Sequence, residues 1–203
     1  MKRCFAIVAV LLAAAVAVCG CATYSQRWIT LIDGDNGLEH FVRVGDANWR
    51  AQDGAIVADN GKGGYLVSKK SYSDFELRAQ FWADHTTNSG IFLRASSPRT
   101  LDPSSAYEVN IYDRRPDPRY GTGAIVNFAK VPVPTIFKAG GKWNTCEIYA
   151  KGPELTVKFN GQVTVTLRNS KFSAGPFALQ FGPGADGAPG GAIKWRHLSI
   201  RPL

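Results

Sequence analysis

The chain has 203 residues, of which 45% are apolar, 11% aromatic and 20% charged; this excludes a disordered chain and fits one globular domain or two very small ones. Its 21 Gly and 11 Pro, with the initiator as the only Met, favour a turn-rich β protein. The formal charge of +8 includes an N-terminal segment whose removal would lower it, so it is not a nucleic-acid signature as it stands.

Lys2 and Arg3 precede an unbroken apolar run from Phe5 to Val18, and small residues follow at once. This is the pattern of a secretion signal, and the run falls short of the roughly 20 apolar residues of a spanning helix. Val18-Cys19-Gly20-Cys21 resembles the lipobox of bacterial lipoproteins. Residues 1–20 are therefore expected to be a signal peptide, Cys21 the lipidated residue, 21–27 a tether and 28–203 the domain. Two or more acyl chains suffice for stable anchoring. Ala22, where an Asp would favour inner-membrane retention by analogy, points to the outer membrane, with the domain facing the periplasm or the surface. Loss of residues 1–20 lowers the cations from 24 to 22 against 16 acidic groups, a net charge of +6. Only Cys146 then remains within the domain, so no internal disulfide is expected and core burial must hold the fold.

From Thr23 to Asp46 few stretches are periodic. Asn48 to Val57 reads as strand, Asp53-Gly54 turn, strand. In Phe75 to Phe81 the residues Phe75, Leu77, Ala79 and Phe81 share one face, while Glu76, Arg78 and Gln80 share the other, the period of a half-buried strand. The same alternation recurs in Ile91–Arg94, Tyr107–Tyr112, Thr145–Lys151 and Leu155–Phe159. Asn160-Gly161 then turns into Val163–Leu167. Phe177–Phe181 and Ile193–Ile200 close the chain, separated by a Gly/Pro-rich loop from Gly182 to Gly191. Around ten short antiparallel strands without a helical period imply a β-sandwich or barrel.

In chain order the motifs are Tyr72-Ser73-Asp74-Phe75-Glu76-Leu77, Asn88-Ser89-Gly90-Ile91-Phe92-Leu93-Arg94, Tyr107-Glu108-Val109-Asn110-Ile111, Gly121-Thr122-Gly123-Ala124-Ile125, Gly141-Lys142-Trp143-Asn144, Asn160-Gly161, and a terminal Lys194-Trp195-Arg196-His197-Leu198-Ser199-Ile200. This succession, from about Trp28 to Leu203, resembles the 3-keto-disaccharide hydrolase domain family. Asn110 stands where Gln is more frequent, and His197 where Asn is. The resemblance implies an all-β, concanavalin A-like jelly-roll sandwich of two antiparallel sheets, and cleavage of the glycosidic bond of sugars whose C3 hydroxyl has been oxidised to a ketone. Such substrates imply a partner sugar oxidoreductase that makes them.

Burying Val109 and Ile111 turns Glu108, Asn110 and Tyr112 outward together, and burying Ile91 and Leu93 turns Phe92 and Arg94 outward. A carboxylate, an amide, a guanidinium and aromatic rings are the groups a sugar site uses. Next to a 3-keto group the C2 proton is acidic, so cleavage needs a base near C2, a cation or hydrogen-bond donor at the C3 oxygen, and an acid near the leaving oxygen. Glu108 is expected to be the base or acid and Arg94 the group at the oxyanion, with Asn88, Asn110, Tyr112, Asp113 and Lys130 as substrate contacts. The alternative for Glu108 and Arg94 is a cross-strand ion pair on a solvated face. Trp143 is read as a core plug and His197 as a structural histidine.

No cofactor is predicted, because the chain has no Cys pair in the domain, no H-x-x-x-H and no EF-hand spacing; a divalent ion on Glu108 and Asp113 stays as the alternative. Arg114, Arg115 and Arg119, with Arg99 nearby in sequence, lie in a Pro-rich loop and suggest an anionic envelope surface or acidic glycan, not nucleic acid, as partner. Two functions follow: an exported hydrolase or lyase of 3-keto-glycosides, or a non-catalytic lectin-like carbohydrate-binding module of the cell envelope.

Overall fold

The computed structural model describes residues 27–184 and 188–203; the signal peptide and Cys21 lie outside them. Thirteen strands form two antiparallel sheets: β1 (Ile29–Asp33), β2 (Phe41–Gly45), β3 (Arg50–Gln52), β4 (Ala55–Ala58), β5 (Gly64–Tyr72), β6 (Phe75–Ala83), β7 (Ser89–Leu93), β8 (Tyr107–Ile111), β9 (Lys142–Lys151), β10 (Glu154–Phe159), β11 (Gln162–Arg168), β12 (Gly175–Phe181) and β13 (Ile193–Pro202). The larger sheet runs β11-β10-β9-β6-β13. The far edge of β13 pairs with β4, itself paired with β3, near its start and with β1 near its end. The smaller sheet runs β2-β5-β12-β7-β8. Two short 3-10 turns, Leu38–His40 and Pro118–Tyr120, are the helical elements among the described residues, and no helix there is long and apolar enough to cross a membrane.

Period-two alternation explains the pairing of the sheets. Phe75, Leu77, Ala79 and Phe81 of β6 point inward with Cys146, Ile148 and Ala150 of β9. They meet Leu66, Phe177, Leu179 and Phe181 of the smaller sheet. Trp49, Trp195, Phe75, Phe81, Phe177 and Phe181 are all within 2% of complete burial, and removal of such side chains from water contributes about 1.5–3 kcal/mol each. Cys146 is a free, fully buried thiol, and burial pushes its pKa up, so it packs as a small apolar residue.

Both expected hairpin turns are present. Asp53-Gly54 and Asn160-Gly161 have positive φ at both positions (54° and 75°, 49° and 81°), the type I′ geometry that matches strand twist. Three strands lie where the sequence shows no clear alternation: β1, β2 and β5. Trp143 is not a core plug. In β9 the inward positions are Asn144, Cys146 and Ile148, so Trp143 lies outside and is 39% exposed. His197 also faces outward, across a β-bulge after Trp195 and 3.9 Å from Asp33.

Candidate active site

The outward face of the smaller sheet carries the candidate chemistry. Phe92 lies directly opposite Glu108, and Gly90 opposite Asn110. The same rows continue through Ala178 and Gln180 of β12 to Val67 and Tyr65 of β5. A loop between β7 and β8 folds over part of this face: Leu101 and Ala106 pack on Val67, Phe92 and Ala178, and the Tyr65 hydroxyl donates to the Leu101 carbonyl at 2.9 Å. The Tyr65 and Phe92 rings meet edge to face at 5.3 Å. On the far side, the segment from Gly121 to Val126 pairs with the free edge of β8 through Val126 N to Glu108 O and Asn110 N to Ala124 O. One part of the face is therefore covered by the loop and the edge of β8 is paired, and β7 and β8 are buried at every residue.

Glu108 is 3% exposed, and among the described residues no donor hydrogen-bonds its carboxylate. Burial holds its pKa at about 7, with the positive charge of Arg115 acting in the opposite direction. Its side chain leans over Gly90: a Cβ there would stand 3.0 Å from the Val109 carbonyl, 3.4 Å from Glu108 Cγ and 3.5 Å from Glu108 Oε1. Glycine opens the space the carboxylate occupies. Beside it, Asn110 donates its amide to the Tyr120 carbonyl at 2.6 Å, while its buried Oδ1 and the buried Oε1 of Gln180 have no partner among the described residues. Buried polar atoms are normally paired, and these two acceptors lie on the face that holds Glu108. Burial raises the pKa of the Tyr65 phenol, and the neighbouring Gln180 amide opposes this.

The other expected site residues are placed differently. β7 ends at Leu93, and Arg94 adopts a left-handed backbone (φ 52°). Its guanidinium turns away from Glu108 to the carbonyls of Ser73, Gly152 and Phe172 and to Asp74. Arg94 is thus neither at the oxyanion position nor a cross-strand partner of Glu108; the strand alternation was extended one residue too far. Asp113 binds the Thr122 hydroxyl and the Ala139 and Gly140 amides, tying two loops together, and a cation shared with Glu108 would have to displace these donors. Among the described residues no three His, Cys, Asp or Glu side chains gather as a metal site. Asn88 clamps the Pro183 carbonyl at 2.7 Å. Tyr112 is buried one residue past β8, and Lys130 is exposed, with Nζ 5.6 Å from the Tyr120 ring centre. Of the expected set, Glu108 and Asn110 share the site.

Sequence reasoning missed Tyr65 and Gln180. Gln180 was legible, since Phe177, Leu179 and Phe181 alternate inward and leave it on the Ala178 side. Arg115, read only as part of a basic loop, supplies the charge felt by Glu108.

The two-sheet all-β sandwich is a lectin-like fold, and the family match makes the protein carbohydrate-related. The family model described as the 3-keto-alpha-glucoside-1,2-lyase-like domain matches residues 27–201, and the chain belongs to this family. No curated protein sequence matches it. Among solved structures it is similar to a candidate glycosyl hydrolase from Parabacteroides distasonis (22% identity, TM-score 0.67, 87% of this chain and 100% of that one). It is also similar to the carbohydrate-binding module CBM66 from Bacillus subtilis (12% identity, TM-score 0.55, 86% and 94%). A third is the lumenal domain of VIP36 in its Ca2+/Man3GlcNAc-bound form (10% identity, TM-score 0.59, 86% and 88%).

Proposed function

We propose that this protein cleaves the glycosidic bond of 3-keto-glycosides on the outward face of the five-stranded sheet, with Glu108 as the base. The observation that carries this reading is the buried Glu108 carboxylate, held at about 7, on the sheet face that also carries two unpartnered amide oxygens. Such a carboxylate is a stronger base than an ordinary Glu and is still about half ionised at neutral pH. It takes the proton from C2, and the C–H electron pair becomes the enolate of the 3-ketone. The enolate reforms the ketone and a C1–C2 double bond while the C1–O bond breaks; the leaving oxygen takes a proton. Water then adds at C1 and the proton returns to C2, so the net change is hydrolysis. The cation whose charge reaches Glu108 is Arg115. Asn110, Gln180 and Tyr65 orient sugar hydroxyls. The family description as a 1,2-lyase supports elimination across C1 and C2, which does not need the two-carboxylate geometry of most glycosidases.

Incubation of the full-length protein with 3-keto-trehalose and with trehalose tests this: glucose release from the keto sugar alone is expected. Binding of 3-keto sugars without any turnover would instead favour the non-catalytic carbohydrate-binding module, the reading suggested by the fold it shares with CBM66. The substrates require a sugar oxidoreductase that oxidises the C3 hydroxyl upstream. We also place the domain at the cell envelope through a lipid on Cys21. Mass spectrometry of membrane fractions is expected to show a diacylglyceryl mass on the peptide that begins at Cys21, and a free Cys21 there would remove the anchor.

A further inference from the structure

Opposite the Glu108 face, the outward side of the eight-stranded sheet carries a cluster of aromatic and charged side chains. Three of the five tryptophans, Trp28, Trp82 and Trp143, lie there, while Trp49 and Trp195 fill the core. Trp82 and Trp143 are cross-strand neighbours on β6 and β9. Each indole has a cation against it: Arg78 and Arg201 at 4.4 and 5.1 Å from the Trp28 ring centre, Lys194 at 5.0 Å from Trp82, and Arg196 at 4.2 Å from Trp143. Such contacts are individually weak at exposed sites. They restrain the rings, and Trp143 is still 39% exposed.

Between the Trp28 end and the Trp143 end, polar rows cross the strands: Arg201, Glu76, Tyr149 and Thr156 in one, Ser199, Arg78, Glu147 and Lys158 in the next. They border two adjoining shallow cavities of about 400 and 530 Å³ that share Trp28, Arg78 and Glu147. From Arg78 to Trp82 along β6 the face extends about 13 Å at 3.3 Å per residue, room for an oligosaccharide and not just one sugar. The charges are unequal. Each outward carboxylate of these strands has an arginine, Glu76 with Arg201 at 2.5 Å, Glu147 with Arg78 at 3.9 Å and Glu154 with Arg168 at 2.7 Å. Lys151, Lys158, Lys194 and Arg196 have no acidic partner among the described residues.

Indole platforms alone suit a neutral sugar, and lysines alone suit any polyanion. Their combination suits a pyranose whose C–H face stacks on an aromatic ring while a carboxylate on the same ring meets a cation. We propose that this face binds oligosaccharides that contain uronic acids, independently of the chemistry at Glu108.

Titration of the full-length protein with hexagalacturonate, followed by tryptophan fluorescence and calorimetry, tests the proposal. Saturable binding is expected, at least tenfold weaker for the fully methyl-esterified hexamer, which has the same rings without the charge. Trp143→Ala, and separately Lys158→Gln with Arg196→Gln, should weaken it tenfold or more at unchanged melting temperature, while Glu108→Gln leaves it intact. Absence of binding, equal affinity for the methyl ester, or a loss caused by Glu108→Gln would overturn the proposal. So would binding that survives Trp143→Ala and is matched by dextran sulfate, since that is the behaviour of a merely cationic surface.

Discussion

Glu108→Gln is expected to lower turnover of 3-keto-glycosides by about 10²–10⁴-fold, the usual contribution of a positioned acid or base, and to make the protein more stable above pH 7. Both effects have one cause. The native state holds the Glu108 proton up to about pH 7, whereas the ordinary carboxyl value is 4.5, so between those values the folded protein binds more protons than the unfolded chain. Stability then falls as pH rises. The contribution is fully present below about 4.5 and is lost as pH rises through about 7, and at 1.36 kcal/mol per tenfold change in proton affinity it amounts to about 3 kcal/mol. The neutral amide of Gln has nearly the same shape and no charge to bury, so its denaturant midpoint should stay flat across this range while that of the parent declines. In the parent, turnover should rise with pH through about 7 as the base ionises. A rate that falls through that region would make Glu108 the acid, and a variant that keeps its turnover would remove Glu108 from the chemistry.

The sequence showed which side chains share a face far better than it showed how that face is covered. Alternation in β8 correctly put Glu108 and Asn110 on one side and Val109 and Ile111 on the other. It could not show that Leu101 and Ala106, from a loop without periodicity, pack on Val67, Phe92 and Ala178 of the outward side, the side on which Glu108 is buried and made more basic by that burial. The same roofing hid β5: Leu66 faces the core and Val67 the loop, both are buried, and the strand loses the two-residue contrast that marks half-exposed strands. β1 and β2 are five residues each and too short for alternation to stand out. Trp143 was misread because the strand was begun at Thr145, three residues late, which removed the position that fixes its parity. The turns, by contrast, were legible from Asp-Gly and Asn-Gly alone, because their chemistry is local.

Arg94→Ala is expected to destabilise the fold by about 3–5 kcal/mol, the range for breaking a buried charged cluster, and to leave turnover per folded molecule unchanged. The side chain is 1% exposed. Its Nε donates to the Ser73 carbonyl at 2.7 Å, its Nη1 to the Gly152 and Phe172 carbonyls at 2.7 and 3.3 Å, and its Nη2 to Asp74 at 3.3 Å. These acceptors lie in the β5–β6 turn, the β9–β10 turn and the segment before β12, so one guanidinium staples both sheets at one end of the sandwich. Asp74 closes the cluster by accepting the Gly152 amide at 2.8 Å. Alanine would leave those carbonyls without their donor and keep the cost of the left-handed backbone at residue 94, about 1–2 kcal/mol for a residue with a Cβ. Lysine keeps the charge but offers no planar fork of donors, so Arg94→Lys should recover only part of the loss. For a domain of this size each kcal/mol lowers the melting temperature by roughly 2–4 °C, so Arg94→Ala should melt on the order of 10 °C below the parent. A variant that melts with the parent yet loses turnover would return Arg94 to the reaction, against the direction in which its side chain points.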